Sequence, residues 1–178
     1  MPDERFARHA VTDPVTRRCR NALEQSLEVV MLVLMIALTV IVIVGVGFRK
    51  AGAALVWYDE VASILLAWLT YYGASLAALK RAHIGFPRFV YSRTPRLRLF
   101  LVLCRELIVV GFFVLVAWAG WRVLQILDGT YLASLPSVST RFTQSVIPIG
   151  AVLFIIAELL SFAEIWPALR KAARDKLE

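Results

Sequence analysis

Charged residues inside long apolar stretches are the residues of this sequence with most scope for chemistry. Arg105 and Glu106 adjoin near the start of one such stretch, and Glu158 lies late in another. An ionised side chain inside a bilayer is costly and often marks a functional site, although near the surface a long side chain reaches water. If the two stretches are antiparallel helices, all three residues lie near the same membrane surface. We therefore predict ion pairing between helices in preference to proton or ion transport.

Other reactive residues are scarce, and their positions exclude several classes of protein. The sequence has two histidines, and neither lies in an apolar stretch, so a membrane-embedded haem lacks axial ligands. Its two cysteines, Cys19 and Cys104, form no CxxC motif and are predicted to be free thiols. No metal-ligating cluster and no nucleophile with an adjacent base is recognisable. We predict a protein that is not an enzyme and that has no cofactor.

An acidic pair, Asp59 and Glu60, directly precedes a third apolar stretch. One interpretation is that both carboxylates favour the positive end of a helix dipole and pair with Arg49 or Lys50 across a short loop. The other is that they form a polar contact with a second membrane subunit. The sequence leaves both interpretations open, with the first favoured.

The composition of the chain indicates that these apolar stretches lie in a lipid bilayer. The chain of 178 residues is 60% hydrophobic with a mean hydropathy of +0.71, which is too apolar for an ordinary soluble domain. A helix needs about 20 apolar residues to cross the hydrocarbon core. We predict a single all-α integral membrane domain over residues 1–178, with four transmembrane helices at about 29–48, 61–79, 99–121 and 142–166.

Basic residues predict the orientation of these four spans. Five Lys and Arg residues precede the first span, six lie between the second and third, and four follow the last, whereas the other two loops hold two each. Basic loops are retained in the cytoplasm, so both termini and the middle loop are predicted to be cytoplasmic. Topology and anionic lipids explain the net charge of +7, and we predict no binding of nucleic acid.

Two segments outside the spans have the pattern of interfacial structure. Residues 14–28 place apolar residues on one helical face, which fits either an amphipathic helix on the cytoplasmic leaflet or a polar extension of the first helix. The middle loop alternates basic and apolar residues before the third span, from Arg93 to Phe100, and is predicted to lie along the membrane surface.

The second span also carries small residues at four-residue spacing. These are Gly73, Ala74, Ala77 and Ala78. Rows of small residues let two helix backbones approach closely in a membrane. The spacing does not distinguish a neighbouring helix of this chain from one of a partner.

The second span and its flanks have the sequence WYDEVASILLAWLTYYGASLAALKRAHI, from Trp57 to Ile84. This run resembles the signature of the small membrane subunit of TRAP transporters, the DctQ-type subunit. The matching elements are Asp59 and Glu60, Trp68, Gly73 and Ala74, Lys80 and Arg81, and His83 and Ile84. The run Ile147-Pro148-Ile149-Gly150 is similar to the entry of the family's last helix. Two departures from the pattern are visible, since Asp59 stands where Glu is usual and Gly85-Phe86-Pro87 stands where the family often has a valine and an acidic residue.

The resemblance implies a small subunit of a tripartite, sodium-driven, ATP-independent transporter for uptake of organic acids. Its partners would be a large multi-span membrane subunit, which this chain braces, and, through the assembled complex, a periplasmic substrate-binding protein. The expected partner interface comprises Asp59, Glu60, Trp68, Gly73, Ala74, Ala77, Ala78, Arg81 and His83. The alternative is a self-sufficient small transporter that forms a homo-oligomer, which would depend on Glu158 as a carboxylate deep in the bundle.

Overall fold

The computed structural model describes residues 14–80 and 95–174, and these residues are mainly helical. The helices are α1 (Pro14–Lys50), α2 (Tyr58–Leu79), α3 (Pro95–Ile126), the short α4 (Thr140–Gln144) and α5 (Val146–Arg174). Four helical segments are long and apolar enough to cross a membrane, the last of them comprising α4 and the first part of α5. The prediction of an all-α protein with four transmembrane helices is therefore confirmed.

The first helix is much longer than the span predicted from its apolar residues. With 37 residues, α1 measures about 55 Å at 1.5 Å per residue, against about 30 Å for the hydrocarbon core. Residues 14–28 form the beginning of this continuous helix, so they extend the spanning helix. Leu27 is buried and Leu23 packs against the protein core. Leu23 and Leu27 of this segment thus contact the protein itself, whereas Cys19 is exposed.

A break divides the fourth apolar stretch. The predicted span of 142–166 starts within α4, and a turn at Ser145, whose N–H donates to the Phe142 carbonyl at 3.2 Å, separates α4 from α5. Pro148 lies in the first turn of α5, where the missing N–H has no intrahelical acceptor in any case. Proline therefore fits the start of α5 and favours a new helix over a continuous one.

The spanning helices pack in the order α1, α2, α5, α3. Each helix of this row packs extensively on the next, whereas α1 makes only slight contact with α5. In a closed bundle the two outer helices would also meet, and α1 and α3 show no comparable contact within the described residues. In the most apolar stretch of the fourth spanning segment, 44% of the residues are buried. The corresponding share is 11% or less in each of the other three segments. Helix α5 is thus the most enclosed element of the row.

The core lies where α2 and α5 meet. It consists of Ala78 and Leu79 of α2 with Phe154 and Ala157 of α5, and the ring of Phe113 from α3 stacks on Phe154 at 3.7 Å between centroids. Each of these two helices contributes one alanine and one large side chain, which allows close packing in a membrane.

Two glycines set the distance between α5 and its neighbours. A Cβ atom at Gly150 would lie 2.7 Å from Cβ of Tyr71 on α2, and one at Gly120 of α3 would lie 2.9 Å from Cγ2 of Ile147. Both distances are far below van der Waals contact. The α2–α5 and α3–α5 interfaces therefore require glycine at these positions.

Candidate functional site

The two acidic residues at the start of α2 have different surroundings. The Asp59 carboxylate lies 3.6 Å from the Arg49 guanidinium, and both side chains are largely exposed, at 73% and 60%. Such an exposed pair contributes little to stability. Arg49 also donates a hydrogen bond to the Tyr58 hydroxyl and lies over its ring. The Asp59 carboxylate therefore remains accessible at the surface.

Glu60, by contrast, binds the loop that connects α3 to α4. One of its carboxylate oxygens accepts a 3.0 Å hydrogen bond from the Ser134 N–H and another from the Ser134 hydroxyl. Hydrogen bonds to a charged acceptor are among the stronger ones in proteins. Within the same loop Tyr131 and Ser139 form an isolated β-bridge. Glu60 thus fixes this loop to the start of α2.

Trp68 connects α2 to α4. Its indole Nε1 donates to the Thr143 carbonyl at 2.9 Å, and its ring lies 5.5 Å from Phe142 and 6.3 Å from Tyr72 between centroids. The bond satisfies a carbonyl at the end of a short helix, which lacks an intrahelical donor. The structure therefore gives this residue a role within the chain.

The small residues of α2 lie on more than one face. Gly73 faces α1, since a Cβ at this position would lie 3.1 Å from Cε of Met31. Ala74 and Ala78 pack in the core with α5, and Ala78 is 1% exposed. Ala77 is only partly buried. Most of the row thus serves packing inside this chain. Gly73 and Ala74 are partly exposed like Ala77, so the row also keeps some surface for a neighbour.

A residue that the sequence analysis did not single out completes the α2–α5 contact. Ser75 is fully buried, and its hydroxyl lies within hydrogen-bond distance of the Gly150 carbonyl at 3.3 Å and the Tyr71 carbonyl at 3.0 Å. A serine inside a membrane helix commonly binds a carbonyl of its own helix, so its residue type carried no signal for a contact with α5.

Polar groups also gather at the C-terminal end of α2. The Ser161 hydroxyl lies 3.0 Å from the Ala78 carbonyl and 3.2 Å from that of Leu79, and the Arg20 guanidinium donates to the Leu79 carbonyl at 3.3 Å. Carbonyls at a helix end have no intrahelical donor, so these side chains supply what the helix lacks. Arg81 and His83, the next residues of the predicted interface, lie outside the described residues, as does the segment of the middle loop from 81 to 94.

Lys80 joins the end of α2 to α1. Its ammonium group binds the Glu28 carboxylate and lies 3.6 Å from that of Glu24. The hydrogen bond that Lys80 donates to Glu28, with a smaller contribution from Glu24, raises the pKa of Lys80 above its ordinary value. The one-turn spacing of the two glutamates was a visible signal for this bridge.

The charged residues predicted to pair inside the membrane lie between α3 and α5. The Arg105 guanidinium donates to the Glu158 carboxylate at 2.7 Å. The Glu158 side chain is 6% exposed, whereas that of Arg105 is 53% exposed. Glu106 does not take part in this bond, and one of its carboxylate oxygens is buried without a hydrogen-bond partner among the described residues. The pair thus comprises Arg105 and Glu158, and Glu106 is left beside it.

These contacts define a multi-pass α-helical membrane protein whose buried polar side chains mainly join its own helices. Over the described part of the chain no group of three or more His, Cys, Asp or Glu residues is placed to hold a metal ion. Residues 38–168 match the family model of tripartite ATP-independent periplasmic transporters, DctQ component, and the chain belongs to this family. It is a family of transporter components, and the resemblance seen in the sequence is confirmed. No curated protein matches the chain.

Proposed function

We propose that this chain braces the large transport subunit of a sodium-driven transporter for organic acids, with which a periplasmic substrate-binding protein cooperates. Membership of the DctQ family supports a role as the small component of a tripartite transporter. The sodium gradient, the organic acid and the bracing role are the proposed part. Both termini lie in the cytoplasm and the protein resides in a bacterial inner membrane.

The observation that carries the bracing role is the use of polar groups within the membrane. Glu158, Ser75 and Ser161 are buried and bind groups of neighbouring helices. A substrate path needs polar groups that face a cavity. The row of helices instead exposes broad apolar surfaces on α1 and α3, including Ile43, Phe112 and Leu115. Such surfaces suit a protein that contacts lipid and another membrane subunit.

The proposed contact with the large subunit includes Asp59 and Ala77. Asp59 is the accessible member of the acidic pair, and Ala77 is a partly exposed member of the small-residue row. Glu60, Trp68, Gly73, Ala74 and Ala78 support this surface from inside the chain through the bonds and packing described above. Arg81 and His83 are included in the proposed contact on the sequence resemblance alone, since they lie outside the described residues.

Co-purification from native membranes tests the proposal. The chain is tagged, extracted gently and analysed by mass spectrometry for proteins recovered in stoichiometric amount. We expect a large multi-span membrane protein. Recovery of only further copies of this chain would contradict the bracing role and support the homo-oligomeric transporter.

A charge reversal tests the proposed surface itself. Asp59→Lys is expected to lower both recovery of the large subunit and uptake of the organic acid several-fold. Asp128→Lys is the matched control, because Asp128 is an equally exposed carboxylate that pairs with an arginine, Arg141, at 3.0 Å. Wild-type recovery and uptake with Asp59→Lys would show that the acidic contact is wrong.

A further inference from the structure

Glu106 is a buried carboxyl group that the proposed function does not use. Its residue is 8% exposed, and the oxygen Oε1 has no hydrogen-bond partner among the described residues. Val109 lies one helical turn further along α3 and, with Phe113, packs against the core that includes α5. The Glu106 side chain therefore points between α3 and α5, away from lipid.

The charged groups that face Glu106 do not balance. Glu158 approaches from α5 and Arg105 belongs to the same helix as Glu106, so two carboxyls share one described cation. That cation already binds Glu158 at 2.7 Å. The short helix α4 contacts α3 near the opposite membrane surface. Lys80 binds Glu24 and Glu28, and Arg20 donates to the Leu79 carbonyl.

A buried ionised carboxylate without a partner is among the most costly groups in a membrane protein. A metal cation would have to bring water ligands into the packed interface, since Mg²⁺ and Ca²⁺ take six or more oxygen ligands and two carboxyls supply at most four. A basic side chain of a partner subunit would have to enter between two packed helices. A proton satisfies the same charge imbalance without any additional space.

We propose that Glu106 is a proton-binding site in which the carboxylate takes up one proton from water at the nearby membrane surface. The product is a neutral carboxylic acid, and Glu158 keeps its negative charge against Arg105. Two carboxyls close together commonly hold one proton between them, because both cannot ionise at low cost. The α3–α5 interface then contains a group whose charge depends on pH.

Infrared spectroscopy of the wild-type protein in lipid tests this directly. The protein is labelled with ¹³C at the glutamate side-chain carboxyl, and the carbonyl stretch of protonated acids is recorded as pH is varied. We expect an isotope-shifted acid band that persists at neutral pH, when exposed glutamates have lost their protons. Absence of such a band at neutral pH would overturn the proposal without the need for any variant.

Variants assign the band to its residue. Glu106→Gln should remove it, and Glu28→Gln, which alters an exposed carboxylate, should leave it unchanged. Glu158→Gln should lower the pH at which the band disappears, or abolish the band, because the substitution frees Arg105 to bind an ionised Glu106. A neutral-pH band that survives Glu106→Gln would show that another glutamate holds the proton.

Thermal stability provides a second readout. If folded Glu106 holds a proton that the unfolded chain releases, the folded state binds more protons, so stability falls as pH rises. The apparent melting temperature of the wild type should decrease more steeply with increasing pH than that of Glu106→Gln. Parallel pH profiles for the two proteins would contradict the proposal.

Discussion

At the scale of single residues, the Arg105–Glu158 pair illustrates how burial determines what a charge contributes. The Glu158 carboxylate is almost fully enclosed, whereas Arg105 is half-exposed. Removing the arginine leaves a buried charge without its cation, and removing the carboxylate leaves a cation that reaches the membrane surface. The two halves of one ion pair should therefore respond differently to substitution.

Arg105→Met is expected to lower the stability of the protein by up to about 3 kcal/mol, because it leaves Glu158 buried and unpaired. The double variant Arg105→Met with Glu158→Leu should recover part of this loss. Thermal unfolding in detergent or lipid, followed by fluorescence, measures both. Arg122→Met on the same helix is the control, since Arg122 is exposed and lies over the Trp118 ring. Equal effects of the two arginine substitutions would rule out a special cost at Arg105.

At the scale of helices, the sequence predicted the number and type of elements well. Spans are recognisable because transfer of a long apolar stretch into the bilayer dominates its free energy. The continuous α1 was left open, because polar residues 14–28 fit two arrangements equally. The order of packing was not predictable, since helices that are apolar over most of their surface give little indication of which face meets a neighbour.

The contacts of the candidate site were likewise only partly predictable from the sequence. Spacing indicated that Arg105, Glu106 and Glu158 lie near one membrane surface, but it did not indicate which carboxylate the arginine binds. Likewise, the small residues of α2 suggested close packing, while only the structure shows that Gly73 meets α1 and Ala78 meets α5. Contacts between distant residues depend on helix rotation, which hydropathy does not determine.

Two glycine substitutions test the packing of α5. Gly150→Ala should destabilise the protein by about 1–3 kcal/mol, because the added methyl group overlaps Tyr71 of α2. Gly111→Ala is the matched control, since no atom lies within 4 Å of the added methyl group and alanine is the better helix former. Thermal unfolding should separate the two variants. The proposed α2–α5 approach would be contradicted if both responded alike.

At the scale of the whole molecule, orientation in the membrane determines which loops could meet the proposed periplasmic partner. The orientation proposed from the basic residues has the loop between α1 and α2 outside the cytoplasm and Cys19 inside. Both cysteines are free, Cys19 is exposed, and Ala53 is exposed in the outer loop. Each side of the membrane therefore offers a position for chemical labelling.

A membrane-impermeant maleimide added to intact spheroplasts should label Ala53→Cys in a background of Cys19→Ser and Cys104→Ser. In a chain that keeps only the native Cys19, the same reagent should react after permeabilisation alone. Mass spectrometry of the purified chain gives the extent of labelling. Reaction of Cys19 in intact spheroplasts would reverse the proposed orientation.

The row of helices also has a mechanical consequence. With about 9 Å between neighbouring helix axes, the outer axes of a row of four lie up to roughly 27 Å apart, against roughly 9 Å along the side of a two-by-two bundle. A force normal to the membrane at one edge of the row therefore has a lever arm about three times longer than in a two-by-two bundle. The helix at the far edge is held at its depth by hydrophobic matching to the bilayer and opposes that torque. A row of helices should therefore resist tilting in the membrane better than a two-by-two bundle.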